Sequence, residues 1–132
     1  MFDQPRILAI KGSISPFVMV WVDDLVNCMV RAASTDLAGI FNVAGDGAIS
    51  MHEIAAMLGK PVREVPAWLV MARLWFDQRR GRGGGPATVN FLRYRPVLSN
   101  ARLKAEFGYV PALTSRAAFA KFIAIRYGRA VQ

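Results

Sequence analysis

The stretch that decides the fold runs from Phe17 to Val26. It reads Phe17-Val18-Met19-Val20-Trp21-Val22-Asp23-Asp24-Leu25-Val26. Its first six residues are all apolar, and a continuous run of β-branched and aromatic side chains predicts a strand covered on both faces, as in α/β sheets. The two carboxylates that follow predict the start of a helix reaching about Ala33, because either can accept hydrogen bonds from the free amides there and complement the positive helix end.

Working outward, the same rules predict the remaining elements. On the first helix, apolar spacing predicts a buried stripe of Leu25, Cys28, Met29 and Ala32. Further strands are predicted at Arg6–Lys11, Ile40–Ala44 and Val62–Val65. Further helices are predicted from the capping box Ser50–Glu53 to Gly59, from Pro66 to about Asp77 or Arg80, over Asn100–Phe107 after a Ser99 cap, and after Thr114 or Ser115 with Ala118, Phe122 and Ile125 inward.

The composition limits the class of protein. A chain of 132 residues that is 54% hydrophobic predicts one folded domain, residues 1–132. No apolar run reaches the roughly 18 residues of a membrane-spanning helix, and the first six residues lack the pattern of a secretory signal. We therefore expect a cytoplasmic protein with no membrane partner. A lone Cys28 and a lone His52 cannot form a structural zinc site.

The charge is concentrated in one half of the chain. Residues 1–78 carry 6 Lys/Arg against 8 Asp/Glu, whereas residues 79–132 carry 11 against a single Glu106. This second half therefore favours anionic partners: phosphate-bearing small molecules, nucleic acid or an acidic protein domain. Residues 79–88, rich in Arg and Gly, predict a mobile surface loop.

Three segments, in order, resemble the carboxyl-terminal portion of the NAD-dependent epimerase/dehydratase family, the extended short-chain dehydrogenase/reductases. Residues 17–26 are similar to its strand-to-helix junction, with Trp21 where the family commonly has His. Residues 39–55 are similar to its Gly-x-x-(Phe/Tyr)-Asn-(Val/Ile)-Gly segment with a following Ser-x-x-Glu. Residues 96–111 are similar to its strand, short helix and Gly-(Trp/Tyr)-x-Pro ending. The resemblance implies the last strands of a partial Rossmann-like sheet with a helical substrate-binding lobe.

The catalytic features of that family have no counterpart in these residues. A glycine loop before a helix holds the NAD pyrophosphate in the family, whereas Gly81–Gly85 follows a predicted helix and precedes a proline. A Tyr-x-x-x-Lys pair transfers the proton there. Here the tyrosines are Tyr94, Tyr109 and Tyr127, followed four positions on by Leu98, Leu113 and Val131. The resemblance therefore implies NAD(P) for the intact family but no cofactor bound by this chain alone.

Four residues are candidates for substrate binding. Arg93 and Arg95 stand where the resemblance implies a basic residue against a substrate phosphate, and guanidinium groups suit bidentate phosphate contacts. Asn42 and Asp46 sit at a predicted strand end, where open α/β sheets bind ligands. Solvated arginines and ordinary turn chemistry are the alternatives.

The predicted function is a substrate-binding lobe for a nucleotide-sugar or another anionic small molecule, inactive without a catalytic half. One alternative is a partner-dependent interaction module, since an incomplete sheet leaves apolar surface for a Rossmann half or for self-association. A less favoured alternative is nucleic-acid binding through the Arg-Gly tract, which contains no aromatic residue.

Overall fold

A computed structural model describes residues 4–13, 16–81 and 96–128. The chain divides into two compact units, one of residues 1–16 and 50–96, the other of residues 17–49 and 97–132. In chain order the described elements are β1 Ile7–Ile10, α1 Val22–Ala33, α2 Met51–Leu58, β2 Val62–Val65, α3 Ala67–Arg79, α4 Ala101–Ala105 and α5 Ser115–Tyr127. We call the two parts the sheet unit and the helical unit.

The sheet unit contains a two-stranded parallel sheet. β1 and β2 pair in register from Ile7 opposite Val62 to Ile10 opposite Val65. On the covered face Ile7 and Ala9 are buried, while Leu8 between them is exposed, as the alternation of strand side chains requires. The predictions of a strand within 6–11 and of a strand at 62–65 are confirmed.

Helix α2 follows its capping signals. The Ser50 hydroxyl accepts from the Glu53 amide, and the Glu53 carboxylate accepts from the Ser50 amide, which completes the predicted capping box. The helix ends at Gly59, whose φ of 64° is left-handed, a conformation that glycine adopts without steric cost. Ile54, Ala55 and Leu58 bury one side of α2.

Helix α3 buries no residue at all. Its partly covered positions are Ala67, Val70, Leu74 and Asp77. Large apolar side chains therefore remain on the surface: Trp68, Leu69, Met71, Trp75 and Phe76. The helix begins after Pro66 and ends at Arg79, close to the predicted span from Pro66 to about Asp77 or Arg80.

In the helical unit, the buried side of α1 differs from the predicted one. Asp24 and Cys28 are its buried residues, whereas Leu25, Met29 and Ala32 are exposed. The predicted stripe is therefore wrong except at Cys28. The expectation that Asp23 or Asp24 caps the helix is also wrong, because the cap position is Trp21, with no side-chain hydrogen bond. Asp24 points inward because hydrogen-bond donors from a distant segment meet it there.

Two predicted strands do not form. Residues 17–22 make one antiparallel bridge, between Phe17 and Ile49, and residues 40–44 belong to no described strand. Phe17 and Ile49 exchange two backbone hydrogen bonds of 2.8 Å, and the Gly45 amide donates to the Met19 carbonyl. An apolar extended segment becomes a strand only where a ladder of backbone partners lies beside it, and the described residues offer these segments only isolated contacts.

Helices α4 and α5 complete the helical unit. The α4 residue Leu103 packs with Cys28 and Phe107 in a small core. The Thr114 hydroxyl caps α5 by accepting from the Ala117 amide, as predicted. Ala118 is buried as predicted, but Ile125 is 69% exposed. The inner side of α5 consists of Ser115, Ala118, Phe119 and Ile123.

The fold class is mixed α/β, with five helices and one small parallel sheet within the described ranges. None of the helices in those ranges is long and apolar enough to cross a membrane.

Candidate functional site

The predicted residues Asn42 and Asp46 lie in the helical unit. Asn42 precedes the turn at residues 45–47, and Asp46 lies within that turn. The Asn42 side-chain amide donates to the Ser99 carbonyl at 3.2 Å. Asp46 is joined to two side chains of the α4 region. Its Oδ1 accepts from Asn100 Nδ2 at 2.8 Å and from Lys104 Nζ at 2.5 Å. The structure thus brings Asn42 and Asp46 together with residues 99–104, which were not predicted as site residues.

The carboxylate of Asp46 is stabilised in its charged form. The hydrogen bond from Lys104, then the one from Asn100, lowers the pKa of Asp46 below its ordinary value. Asn100 also donates from Nδ2 to the Ala44 carbonyl at 2.8 Å. Asp46, Asn100 and Lys104 form a compact charged junction, whose surface remains partly open because the Asp46 and Lys104 side chains are 43% and 34% exposed.

Two neighbouring residues hold this turn in place. Gly45 lies so close to other backbone that a Cβ atom would stand 2.5 Å from the Met19 carbonyl oxygen and 2.9 Å from that of Leu113. Ser115 is completely buried. Its hydroxyl donates to the Gly47 carbonyl at 2.7 Å and accepts from the Met19 amide at 3.1 Å. Only glycine fits at position 45 without moving these segments.

A second polar centre lies at Asp24. This side chain is 2% exposed, and its Oδ1 accepts from the Tyr109 hydroxyl and from the Ala112 amide, each at 2.8 Å. Burial, more than any neighbouring charge, raises the pKa of Tyr109. These two hydrogen bonds connect α1 to residues 109–112. They also provide donors for a buried carboxylate, whose burial without hydrogen bonds would cost free energy.

The other sequence candidates have ordinary surroundings. Cys28 is buried in the helical unit, and burial raises the pKa of its thiol, which agrees with an inert core cysteine. His52 is exposed on α2, with its Nε2 3.3 Å from a Glu64 oxygen. Among the described residues, no three His, Cys, Asp or Glu side chains are grouped so as to hold a metal ion.

Arg93 and Arg95, the predicted phosphate contacts, lie outside the described residues. Most of the predicted 79–88 loop lies outside them too.

A groove that was not predicted from the sequence lies beside β1 of the sheet unit. It is lined by Gln4, Pro5, Arg6, Ile7, Leu8 and Arg63. Parallel pairing places Leu8 opposite Arg63, and the sequence of neither strand specifies that pairing.

Comparisons with known proteins give distant relatives only. No family model matches the chain, and no solved structure matches it. An uncharacterized protein of Mycobacterium bovis is 28% identical over 120 residues, which cover 87% of this chain and 31% of that protein. Uncharacterized proteins from two strains of Mycobacterium tuberculosis match with the same identity and coverage. The chain therefore spans about a third of the length of the curated relatives it matches.

Proposed function

We propose that this chain is the carboxyl-terminal, substrate-binding part of an NAD(P)-dependent epimerase or dehydratase. In this proposal it supplies the last strands of a Rossmann-like sheet together with a helical lobe that binds a nucleotide-sugar or another anionic small molecule. Hydride and proton transfer take place on a catalytic half that carries the NAD(P) site and the reactive tyrosine. The chain alone binds substrate without turning it over.

The observation that carries the proposal is the mutual contact of the three segments that resemble the family. Asp24, in the first segment, accepts from Tyr109 in the third. Asp46, in the second segment, accepts from Asn100 in the third. Three stretches far apart in sequence thus meet in one unit of the fold, as the proposal requires of segments that together form one substrate-binding lobe.

The uncovered side of α1 supports the part of the proposal that concerns a missing half. Its exposed apolar residues repeat at helical spacing: Val22, Leu25, Val26, Met29 and Val30. An apolar helix face of this length normally packs against another element. The relatives are about three times as long as this chain, so a protein of their length has two thirds of its residues available to cover this face.

Ligand binding by the purified chain tests the substrate assignment. We expect weak, saturable binding of a uridine or thymidine diphosphate sugar in isothermal titration calorimetry, and no binding of NAD or NADP. Exchanging Arg93 and Arg95 for Gln should weaken the nucleotide-sugar binding. Exchanging Lys11 and Arg126 for Gln removes the same charge from exposed positions that do not line the groove beside β1 and serves as the matched control.

Equal weakening by both double variants would remove the two arginines from the substrate site. NAD binding or catalytic turnover by the chain alone would overturn the division into two halves.

The exposed α1 face favours a second candidate, a partner-dependent interaction module without a small-molecule substrate. This alternative predicts no nucleotide-sugar binding. It also predicts self-association of the isolated chain that the exchanges Val26→Ser and Met29→Ser abolish in light scattering. Nucleotide-sugar binding by a monomer would exclude it.

A further inference from the structure

Helix α3 carries apolar side chains on the side that points away from its own unit. The partly covered residues Ala67, Val70, Leu74 and Asp77 define the inner side. At about 100° per residue, the opposite side is centred on Ala72 and includes Trp68, Leu69, Trp75 and Phe76. Each of these four large side chains is at least 43% exposed. Their burial would require a further surface.

Positive charge accompanies this outward face. Arg79 places its guanidinium 4.0 Å from the Trp75 ring centroid, and Arg80 lies 5.6 Å from that of Phe76. Arg73 lies about 100° around the helix from the centre of this face, and its Nε is 3.7 Å from an oxygen of Asp77, the one carboxylate of the helix. With three arginines and only one carboxylate, the border of this apolar face carries a net positive charge.

From this combination we infer that α3 is a surface-binding helix that docks onto an anionic lipid bilayer. Trp and Phe rings are stable at the depth of the lipid headgroups, and Arg side chains extend from that depth to the phosphates. Each cation near an anionic membrane surface adds to the attraction. The helix, about 20 Å long at 13 residues, would lie along the surface. The expectation of no membrane partner considered membrane-spanning segments, and this contact requires none.

The same features disfavour the other occupants. A second copy facing this helix across a two-fold axis would bring two sets of three arginines together, with one already paired carboxylate on each side. Bases that stack on aromatic faces would have to compete at Trp75 and Phe76 with the guanidinium groups of Arg79 and Arg80, which lie over those rings. A convex row of side chains suits a fluid surface, which needs no matching groove.

Vesicle sedimentation of the full 132-residue chain tests this inference. We expect it to sediment with vesicles of phosphatidylcholine and phosphatidylglycerol, to sediment far less with phosphatidylcholine alone, and to dissociate as salt rises. The double exchange Trp68→Ser and Phe76→Ser should weaken the partition into anionic vesicles roughly tenfold or more. The exchange Arg79→Gln and Arg80→Gln should weaken it about tenfold or more.

Matched variants separate this contact from general attraction by a basic protein. Val26→Ser with Met29→Ser removes two exposed apolar side chains from α1, and Lys11→Gln with Arg63→Gln removes two exposed cations from the sheet unit. Both controls should retain most of the partition. All variants concern exposed residues, and circular dichroism establishes that each is folded.

Three results would overturn the inference. The first is failure of the chain to sediment with anionic vesicles. The second is a loss as large in the controls as in the α3 variants. The third is an α3-dependent dimer in light scattering, or α3-dependent retention on single-stranded RNA, without vesicle binding; either would assign the face to that occupant.

Discussion

The interior of the helical unit and the outward face of α3 contain similar aromatic residues in opposite surroundings. Phe107 is 4% exposed against Cys28 and Leu103, whereas Phe76 on α3 is 56% exposed. The helical unit also buries a carboxylate, Asp24, while α3 leaves two tryptophans on its surface. Residue type alone therefore does not decide which side chains are buried in this chain. A side chain is buried where the folded unit provides a packing or hydrogen-bonding partner for it.

The same substitution in the two regions gives the largest expected contrast. Phe107→Ala leaves a cavity beside Cys28 and Leu103 and should lower the free energy of unfolding by about 3–5 kcal/mol. Phe76→Ala removes an exposed ring and should change it by less than about 0.5 kcal/mol. Urea denaturation followed by circular dichroism measures both. Similar losses in the two variants would mean that the α3 face is covered in the isolated chain.

Asp24→Ala tests whether the buried carboxylate holds the helical unit together. The exchange leaves the Tyr109 hydroxyl and the Ala112 amide without their acceptor in the interior. Losing hydrogen bonds to a charged group should cost about 3 kcal/mol of unfolding free energy. Asp36→Ala, at an exposed acid of the same unit, should cost almost nothing. If the two variants are equally stable, Asp24 is not a structural acceptor.

Two glycines of one turn provide a finer test of the packed region. A Cβ at Gly45 would meet backbone oxygen at 2.5 Å, so Gly45→Ala should cost about 2–3 kcal/mol as overpacking. Gly47 has open space around it but a φ of 71°, and Gly47→Ala should cost about 1–2 kcal/mol for the left-handed backbone alone. Thermal denaturation of both variants gives the order, and a reversed order would contradict the close approach at Gly45.

Local signals predicted much of this fold. The capping box of α2, its end at Gly59 and the cap of α5 at Thr114 depend on residues within a few positions of each other, and all are confirmed. Strands β1 and β2 were found from short apolar or β-branched runs.

Errors arose where distant residues decide the outcome. The inner side of α1 depends on the Tyr109 hydroxyl, 85 positions from Asp24, and no periodicity within α1 contains that information. The apolar run at 17–22 predicted a strand, yet strand formation depends on a neighbouring backbone that the run itself does not specify. For the candidate site, Asp46 was identified from its turn, but its partners Asn100 and Lys104 were not, because their contact is made only in the folded unit.

The smallest effect is expected at the junction that was predicted as a binding site. The hydrogen bonds from Lys104 and Asn100 lower the pKa of Asp46 from 3.8, the ordinary value that it regains on unfolding. A lowered pKa in the folded state stabilises the protein at pH values above 3.8, and this contribution is lost as the pH falls through the folded-state pKa. Asp46→Asn should therefore be less stable than the unmodified chain at neutral pH. The difference should shrink in acid, below about pH 4.

Thermal unfolding from pH 7 to pH 2.5 measures this difference, and Asp36→Asn, at an exposed acid, is its control. Because the Asp46 side chain is partly in solvent, the change should be smaller than that of Asp24→Ala. A stability difference that stays constant with pH would show that the charge of Asp46 is not what joins the turn to α4. If Asp46→Asn also leaves the fold intact but abolishes nucleotide-sugar binding, the carboxylate serves the ligand in addition to the junction.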